Sequence, residues 1–495
     1  MTKMRTMKAE QLPLVLADSP KGGLGATPPN LLGGEASGMP IARGKELESP
    51  IPAEADASRL MERITSEINL QVALTKVVQN KGAPGVDGQS VKEVEADQEA
   101  LVPLLRRELL AGIYQPGDVR RVWLPKPGGG QRGLGIPNVI DRWVQQAVLQ
   151  VIEPIFEPTF HDSSHGFRRG RGAQTAIAQA QEHLKRGLTT IVDIDLAKFF
   201  DRVNHQRLLS RLAEKLQDKR VLALIGRMLK ARVVMPDGTS VETEEGTPQG
   251  GPLSPLLSNV VLNELDWELE GRGLRFVRYA DDCNIFVGSL RAGLRVMKGI
   301  SHFLEKRLRL YVNTDKSAVR EPGQVHFLGF RFEGNSEKGW RVHLSEKASQ
   351  RIKKRLREMT PRTWGQPLER CLKELNTYIV GWGGYFRICA QEATESWKWI
   401  DSNLRRRVRA IVIRRKKSPR SLYRDLVRNG AREGPAAAVA RSSRGIWHKS
   451  AQFGVHQAYG AIWFRERLKT LVGEWAKHNS PLLSAALGPQ LTLGF

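Results

Sequence analysis

Apolar residues recur at helical spacing from Leu60 through Ile64, Ile68 and Val72, and the run closes in Asn80-Lys81-Gly82-Ala83-Pro84-Gly85-Val86-Asp87-Gly88, a cluster of turn formers. Ahead of it, residues 13–52 hold 14 Gly and Pro in 40 positions and show no periodicity, so 1–55 reads as a disordered leader. Between Arg120 and Pro137 the alternating run Val122-Trp123-Leu124-Pro125 meets Gly128-Gly129-Gly130 and leaves through Arg132-Gly133-Leu134-Gly135-Ile136. This predicts a β-hairpin carrying Arg120, Arg121, Lys126 and Arg132. Helical spacing follows from Asp141 to Ile155 and, after the basic loop Gly166–Gly172, from Ala173 to about Leu184. The β-branched run from Thr189 to Asp195 predicts a buried strand, and Leu274–Val287 reads as two apolar strands around a short polar tip. Helices alternate with strands to about Phe332, which indicates an α+β or mixed α/β core.

After about residue 340 helical spacing persists, strands largely disappear and cations crowd in. Arg351–Arg357 carries five Lys/Arg, and Arg405–Arg420 carries nine with no acidic residue. Trp397, Ile400, Leu404, Val408 and Ile411 mark one apolar face there, leaving the arginines elsewhere on the helix. Nine unbalanced cations repel one another, so a helix laid against phosphates is favoured over a merely solvated face. The whole chain points the same way. Its 495 residues carry 77 Lys+Arg against 52 Asp+Glu, a formal net charge of +25, and such a field attracts polyanions, nucleic acid first among them. No apolar stretch is long enough for a membrane span, and the run from Leu12 to Ala17 is too short for a secretory signal. A cytoplasmic protein without membrane partners is expected. Cys283, Cys371 and Cys389 are too far apart for a zinc knuckle, and His161 and His165 lack a nearby third ligand.

The chemistry concentrates in two carboxylate clusters. Asp281-Asp282 sits at the hairpin tip, where two adjacent carboxylates raise each other's pKa unless a cation neutralises them. Asp193 and Asp195 end the strand that begins at Thr189, with Asp195 lying 86 residues before Asp281. Two strand ends side by side would add a third carboxylate to the pair. Three carboxylates can hold two magnesium ions about 4 Å apart, the arrangement of in-line phosphoryl displacement.

These residues carry a family likeness. Tyr279-Ala280-Asp281-Asp282 resembles the catalytic box of reverse transcriptases, and Asp195-Leu196-Ala197-Lys198-Phe199-Phe200-Asp201 resembles their first catalytic motif. Gly246-Thr247-Pro248-Gln249-Gly250-Gly251-Pro252, Asn313–Lys316, Phe327–Phe330 and the hairpin Leu124–Arg132 are similar to further motifs of the same enzymes. Lys81–Gly88, Ser164-His165-Gly166-Phe167-Arg168 and Leu375–Arg387 resemble, more narrowly, the group II intron-encoded reverse transcriptase/maturases of bacterial type. The resemblance implies an α+β right-hand polymerase followed by an α-helical domain: fingers and palm over 56–335, a basic thumb/maturase domain over 336–430, and a small C-terminal domain over 431–495. That last part is either DNA-binding or a helical cap.

The implied activity is RNA-directed DNA polymerisation with two magnesium ions as cofactor, on an RNA template and a DNA primer or target, using dNTPs. The implied further partner is the parental group II intron RNA, whose splicing and mobility the protein would assist. Asp195, Asp281 and Asp282 would be the metal carboxylates, with the Leu196 carbonyl as a fourth oxygen ligand. Phe200 would lie under the sugar and exclude a 2′-hydroxyl. Lys126 and Arg132 would grip the triphosphate, Gln249 would contact the nascent pair or template, and Lys316 would protonate the leaving pyrophosphate. Arg405, Arg406, Arg407, Arg409, Arg414 and Arg415 would bind RNA. Gly133 and Arg169 stand where relatives usually have proline, and three scattered cysteines leave no room for a cysteine-bound zinc nuclease. Two rival readings remain open at this point: a splicing cofactor with a vestigial polymerase site, and a reverse transcriptase recruited to phage defence or diversity generation.

Overall fold

The computed structural model describes residues 58–125, 129–335, 337–361 and 363–479, so the expected leader and residue Lys126 lie outside the described residues. The chain divides into two compact units between Glu321 and Pro322.

Among the described residues ten strands occur in chain order: β1 Val119–Pro125, β2 Gln131–Ile136, β3 Thr190–Ile194, β4 Val233–Val234, β5 Ser240–Val241, β6 Arg275–Tyr279, β7 Asp282–Val287, β8 Ala318–Arg320, β9 Phe330–Asn335 and β10 Gly339–Leu344. In the first unit, β2-β1-β4-β5 form one sheet and β6-β7-β3-β8 another. The expected fingers hairpin is β1 and β2, antiparallel with Leu124 opposite Arg132.

The second sheet is antiparallel throughout, with β3 between β7 and β8. Its strands β3 and β7 are mostly apolar and mostly buried, as expected for a sheet packed against the helices Ala173–Lys185, Ser254–Gly271 and Leu290–Phe303. One large core joins sheet and helices. Trp143 is fully buried within it and donates its indole N–H to Leu70 O at 2.7 Å, which pins helix Glu67–Gln79 to helix Val139–Phe156.

The apolar stripe expected from Leu60 to Val72 is interrupted. Leu60 and Ile64 are buried, but Ile68 is 77% and Val72 45% exposed. The helix Leu60–Ile64 stops at Thr65, and Ser66 caps a new helix by accepting from Asn69 N–H. The break resets the register, so Leu70, Ala73, Leu74 and Val77 turn inward instead.

The second unit pairs the β9–β10 hairpin with helices Glu346–Met359, Leu368–Tyr385, Thr394–Arg414, Pro419–Arg428, Glu433–Arg441 and Leu471–Asn479. The expected apolar face of helix Thr394–Arg414 is buried at all five positions: Trp397, Ile400, Leu404, Val408 and Ile411. The expected boundary after residue 335 falls between β9 and β10 and would leave β9 with the palm. The division of the chain puts the hairpin with the helices, because Phe330 stacks on Tyr385 and Phe386.

Candidate active site

The register of the antiparallel sheet brings its carboxylates to one end. Ile194 lies opposite Cys283, so Asp195, the first residue past β3, comes level with the β6–β7 turn. Asp195 is held by its backbone. Its N–H donates to Ser317 Oγ at 2.9 Å, and its carbonyl accepts from Asn313 N–H at 2.8 Å. The turn itself is Ala280-Asp281, with Tyr279 paired to Asp282 across it and Ala280 in the left-handed region at φ 56°.

The carboxyl of Asp281 is pushed above its ordinary value by burial and, less strongly, by the charge of Asp195, while its own backbone N–H, Arg132 and Arg278 oppose the rise. Its Oδ1 is buried without a hydrogen-bond partner. A buried carboxylate oxygen that no donor meets, facing a second carboxylate, fits a hard cation. The charges acting on Asp281 include those of Asp195, Arg132 and Arg278. Asp281 belongs to the turn, whereas Asp282 opens β7 and shares its pleat. Among the described residues no three His, Cys, Asp or Glu side chains converge closely enough to hold an ion. Of the expected trio, Asp195 and Asp281 act on one another through their charges.

Around this pair stand cations. Lys316 Nζ lies 3.7 Å from Asp195 Oδ1 and is half exposed. Arg132, exposed on β2, is close enough to act on Asp281. Asp193, the ambiguous neighbour of Asp195, is committed elsewhere: Arg320 Nη1 donates to its Oδ2 at 2.8 Å. Leu196 is buried and bridges Val312.

Phe200 is half-buried in the short turn Phe199–Asp201, edge-on to Phe199 at 5.2 Å between centroids, and its carbonyl accepts from Thr247 N–H at 2.7 Å. Gln249 O accepts from Gly135 N–H at 2.8 Å, which ties the Gly246–Pro252 motif to β2. That tie needs Gly250 beside it. Gly250 has φ 140°, and a Cβ there would lie 2.4 Å from Gly135 O.

The sequence reading missed Arg278, Asp266, Asn259 and Ser164, a fully buried polar cluster directly under the turn. A signal existed: in the strand Arg275–Tyr279 the cation Arg278 follows the apolar pair Phe276-Val277 directly ahead of the carboxylate turn.

The family described as reverse transcriptase (RNA-dependent DNA polymerase) matches residues 124–332, and the group II intron maturase-specific domain matches residues 349–430. Protein YkfC of Escherichia coli is 34% identical over 314 residues, 55% of this chain and 82% of that protein. The chain belongs to the group II intron-encoded reverse transcriptase/maturases. Group II intron-encoded protein LtrA of Lactococcus lactis subsp. cremoris is 34% identical over 236 residues, and the putative COX1/OXI3 intron 2 protein of Saccharomyces cerevisiae 26% over 331. These matches cover 48% and 55% of this chain but only 39% and 38% of those longer proteins. By its reverse transcriptase domain the chain is classed as an RNA-directed DNA polymerase.

The maturase-specific domain holds the six arginines expected to meet RNA, and the structure divides them. Arg409 is buried, donates to Tyr459 O at 2.9 Å and has its pKa lowered to about 10 by burial. Arg407 donates to Thr360 O at 2.7 Å and Arg357 O at 3.1 Å; Arg406 donates to Trp447 O at 3.1 Å and lies over the Trp447 ring. Arg415 donates to Gln366 O, although it is exposed, and Arg414 is exposed. Arg405 is half-buried. A run of cations reads as a phosphate-binding face from sequence, yet four of the six donate to backbone carbonyls of their own unit. In the Gly381-Trp382 region Gly381 is exposed, and the half-buried Trp382 packs on Phe386 and Trp397. Among the described residues no helix is long and apolar enough to cross a membrane.

Proposed function

We propose that this reverse transcriptase/maturase extends a DNA primer on an RNA template from dNTPs at the Asp195–Asp281 pair, and that its basic helical unit binds the parental intron RNA to assist splicing and retromobility in the cytoplasm. The observation that carries the polymerase reading is the buried, donor-free Oδ1 of Asp281 facing Asp195. Two magnesium ions, when bound, supply charge neutralisation and activation of the primer hydroxyl. Asp195 and Asp281 would hold them, with Asp282 and the Leu196 carbonyl as the further oxygen donors named by the family likeness.

The remaining chemistry belongs to side chains. Arg132 acts on Asp281 from β2, where a planar guanidinium would suit triphosphate oxygens, and Lys126 would join it. Lys316, an ammonium beside Asp195, would give a proton to the departing pyrophosphate. Phe200 would bar a 2′-hydroxyl, and Gln249 would meet the nascent pair beside it. In the maturase domain the exposed Arg414 and Arg415, with Arg405, are the arginines of the six that we assign to RNA phosphates.

The test is magnesium-dependent cDNA synthesis on a primed RNA template by the wild type beside Asp281→Ala/Asp282→Ala. Synthesis lost in the variant is the expected result. A wild type that binds RNA tightly and salt-sensitively but makes no cDNA would replace the polymerase reading with that of a splicing cofactor.

A further inference from the structure

Arg278 is the second-last residue of β6 and is fully buried, as is Asp266 on helix Ser254–Gly271. A guanidinium has five N–H donors, and all five are used here. Nε donates to Asp266 Oδ1 at 2.7 Å; Nη2 donates to Asp266 Oδ2 at 2.6 Å and Ser164 Oγ at 2.7 Å; Nη1 donates to Asn259 Oδ1 at 3.1 Å and to the carbonyl of Ala280 at 2.9 Å. The Arg278 backbone is clamped as well, its N–H donating to Ser163 O and its carbonyl accepting from His165 N–H, both at 2.8 Å.

One side chain thus ties three segments together: the Ser163–Gly166 loop, the Ser254–Gly271 helix and the turn that carries Asp281. The bond to Ala280 O matters most. Ala280 is a non-glycine residue at φ 56°, a conformation that the surroundings must enforce, and its carbonyl belongs to the peptide unit that leads into Asp281. Fixing that carbonyl fixes the peptide plane before Asp281 and so the direction in which its carboxylate leaves the turn. A structural ion pair would need only Asp266. The additional donors to Ala280, Asn259 and Ser164 aim the network at the catalytic turn.

We propose that Arg278 is a positioning residue for polymerisation, holding Ala280 O so that Asp281 faces Asp195; this rests on the polymerase reading above. Lysine would not substitute, because an ammonium has three donors and no planar fork.

The experiment uses the full chain and two variants. Arg278→Lys keeps the charge opposite Asp266 but not the fork. Arg278→Met/Asp266→Leu removes both charges together, a replacement that buried ion pairs often tolerate without loss of stability. Each is checked for folding by circular dichroism and thermal unfolding, then assayed for single-nucleotide extension beside the wild type and Asp281→Asn. The expected result in the folded variants is a kcat lower by about tenfold to a hundredfold, the scale of a catalytic group displaced by up to an ångström. The dNTP KM should stay within about twofold, and the magnesium concentration for half-maximal rate should rise. A folded variant with wild-type kcat would overturn the proposal, and so would loss of fold in both variants, which would make the cluster a core element only. An inactive wild type would instead defeat the polymerase reading itself.

Discussion

Replacing Gly166 by alanine probes the contact between the Ser163–Gly166 loop and the catalytic turn without disturbing any charge. A Cβ at Gly166 would lie 2.3 Å from Ala280 N, 3.0 Å from Tyr279 C and 3.2 Å from Ala280 Cα. All three are backbone atoms, so no rotamer change relieves the overlap. Ordinary carbon contacts are about 3.5–4.0 Å, so loop and turn must part by about 1 Å or more. The loop cannot easily swing away, because Asn259 Nδ2 donates to Gly166 O at 2.9 Å and His165 N–H to Arg278 O at 2.8 Å. Much of the displacement therefore falls on Ala280 and Asp281. Overpacking of this kind costs about 1–3 kcal/mol of stability. A catalytic group moved by about 1 Å loses roughly 10²-fold in rate, or about 2.7 kcal/mol of barrier. The assay is primer extension at saturating dNTP and magnesium, with thermal unfolding measured on the same preparation. Gly271→Ala serves as control, since its Cβ would meet nothing within 4 Å. A folded Gly166→Ala protein whose kcat matches that of the control would refute the reasoning.

Other perturbations separate the remaining roles. Phe200→Ala should raise incorporation of ribonucleotides relative to deoxynucleotides by about 10- to 200-fold, the range of a lost steric contact in a pocket; an unchanged ratio in competition assays would remove Phe200 from sugar selection. Asp401 is buried, accepts the N–H groups of Leu471 and Val472 at 2.9 and 3.2 Å, and has its pKa pushed up to about 7 by burial. Because the folded pKa exceeds the unfolded one, the native state holds the extra proton, and stability falls as pH rises from about 4 to 7. Between pH 5 and 8 the wild type should lose about 2–3 kcal/mol relative to Asp401→Asn; a stability gap that does not change with pH in denaturant titrations would show that Asp401 is not the linked group.

How legible the site was depended on the range of the forces that build it. The hairpins of β1–β2 and β6–β7 and strand β3 were readable because alternation and turn glycines are local. Asp195 and Asp281 were readable as chemistry, since carboxylates at strand ends have few other uses. That Arg132 and Arg278 also act on Asp281 was not readable, because strand register and packing are tertiary facts. Ile68 and Val72 misled because Ser66 offers a cap that competes with helix continuation, and a spacing count does not weigh caps. The basic run of helix Thr394–Arg414 misled in a similar way: an arginine that donates to a carbonyl and one that awaits a phosphate are the same letter. Arg409 can be told from Arg414 only by what lies 3 Å from its nitrogens, here Tyr459 O.

The division between Glu321 and Pro322 bears on how such chains are cut and joined. The reverse transcriptase match runs to residue 332, yet Phe330 and Phe332 are fully buried and lie in β9, whose partner β10 belongs to the following unit. A fragment trimmed where the family match ends would sever β9 from β10 and leave two aromatic rings without their covering. A fragment ending at Glu321 would leave the four-stranded sheet of β6, β7, β3 and β8 whole. Recombination or gene fusion that respects the fold would accordingly find its seam ahead of Phe327–Phe330, inside the span of the reverse transcriptase match.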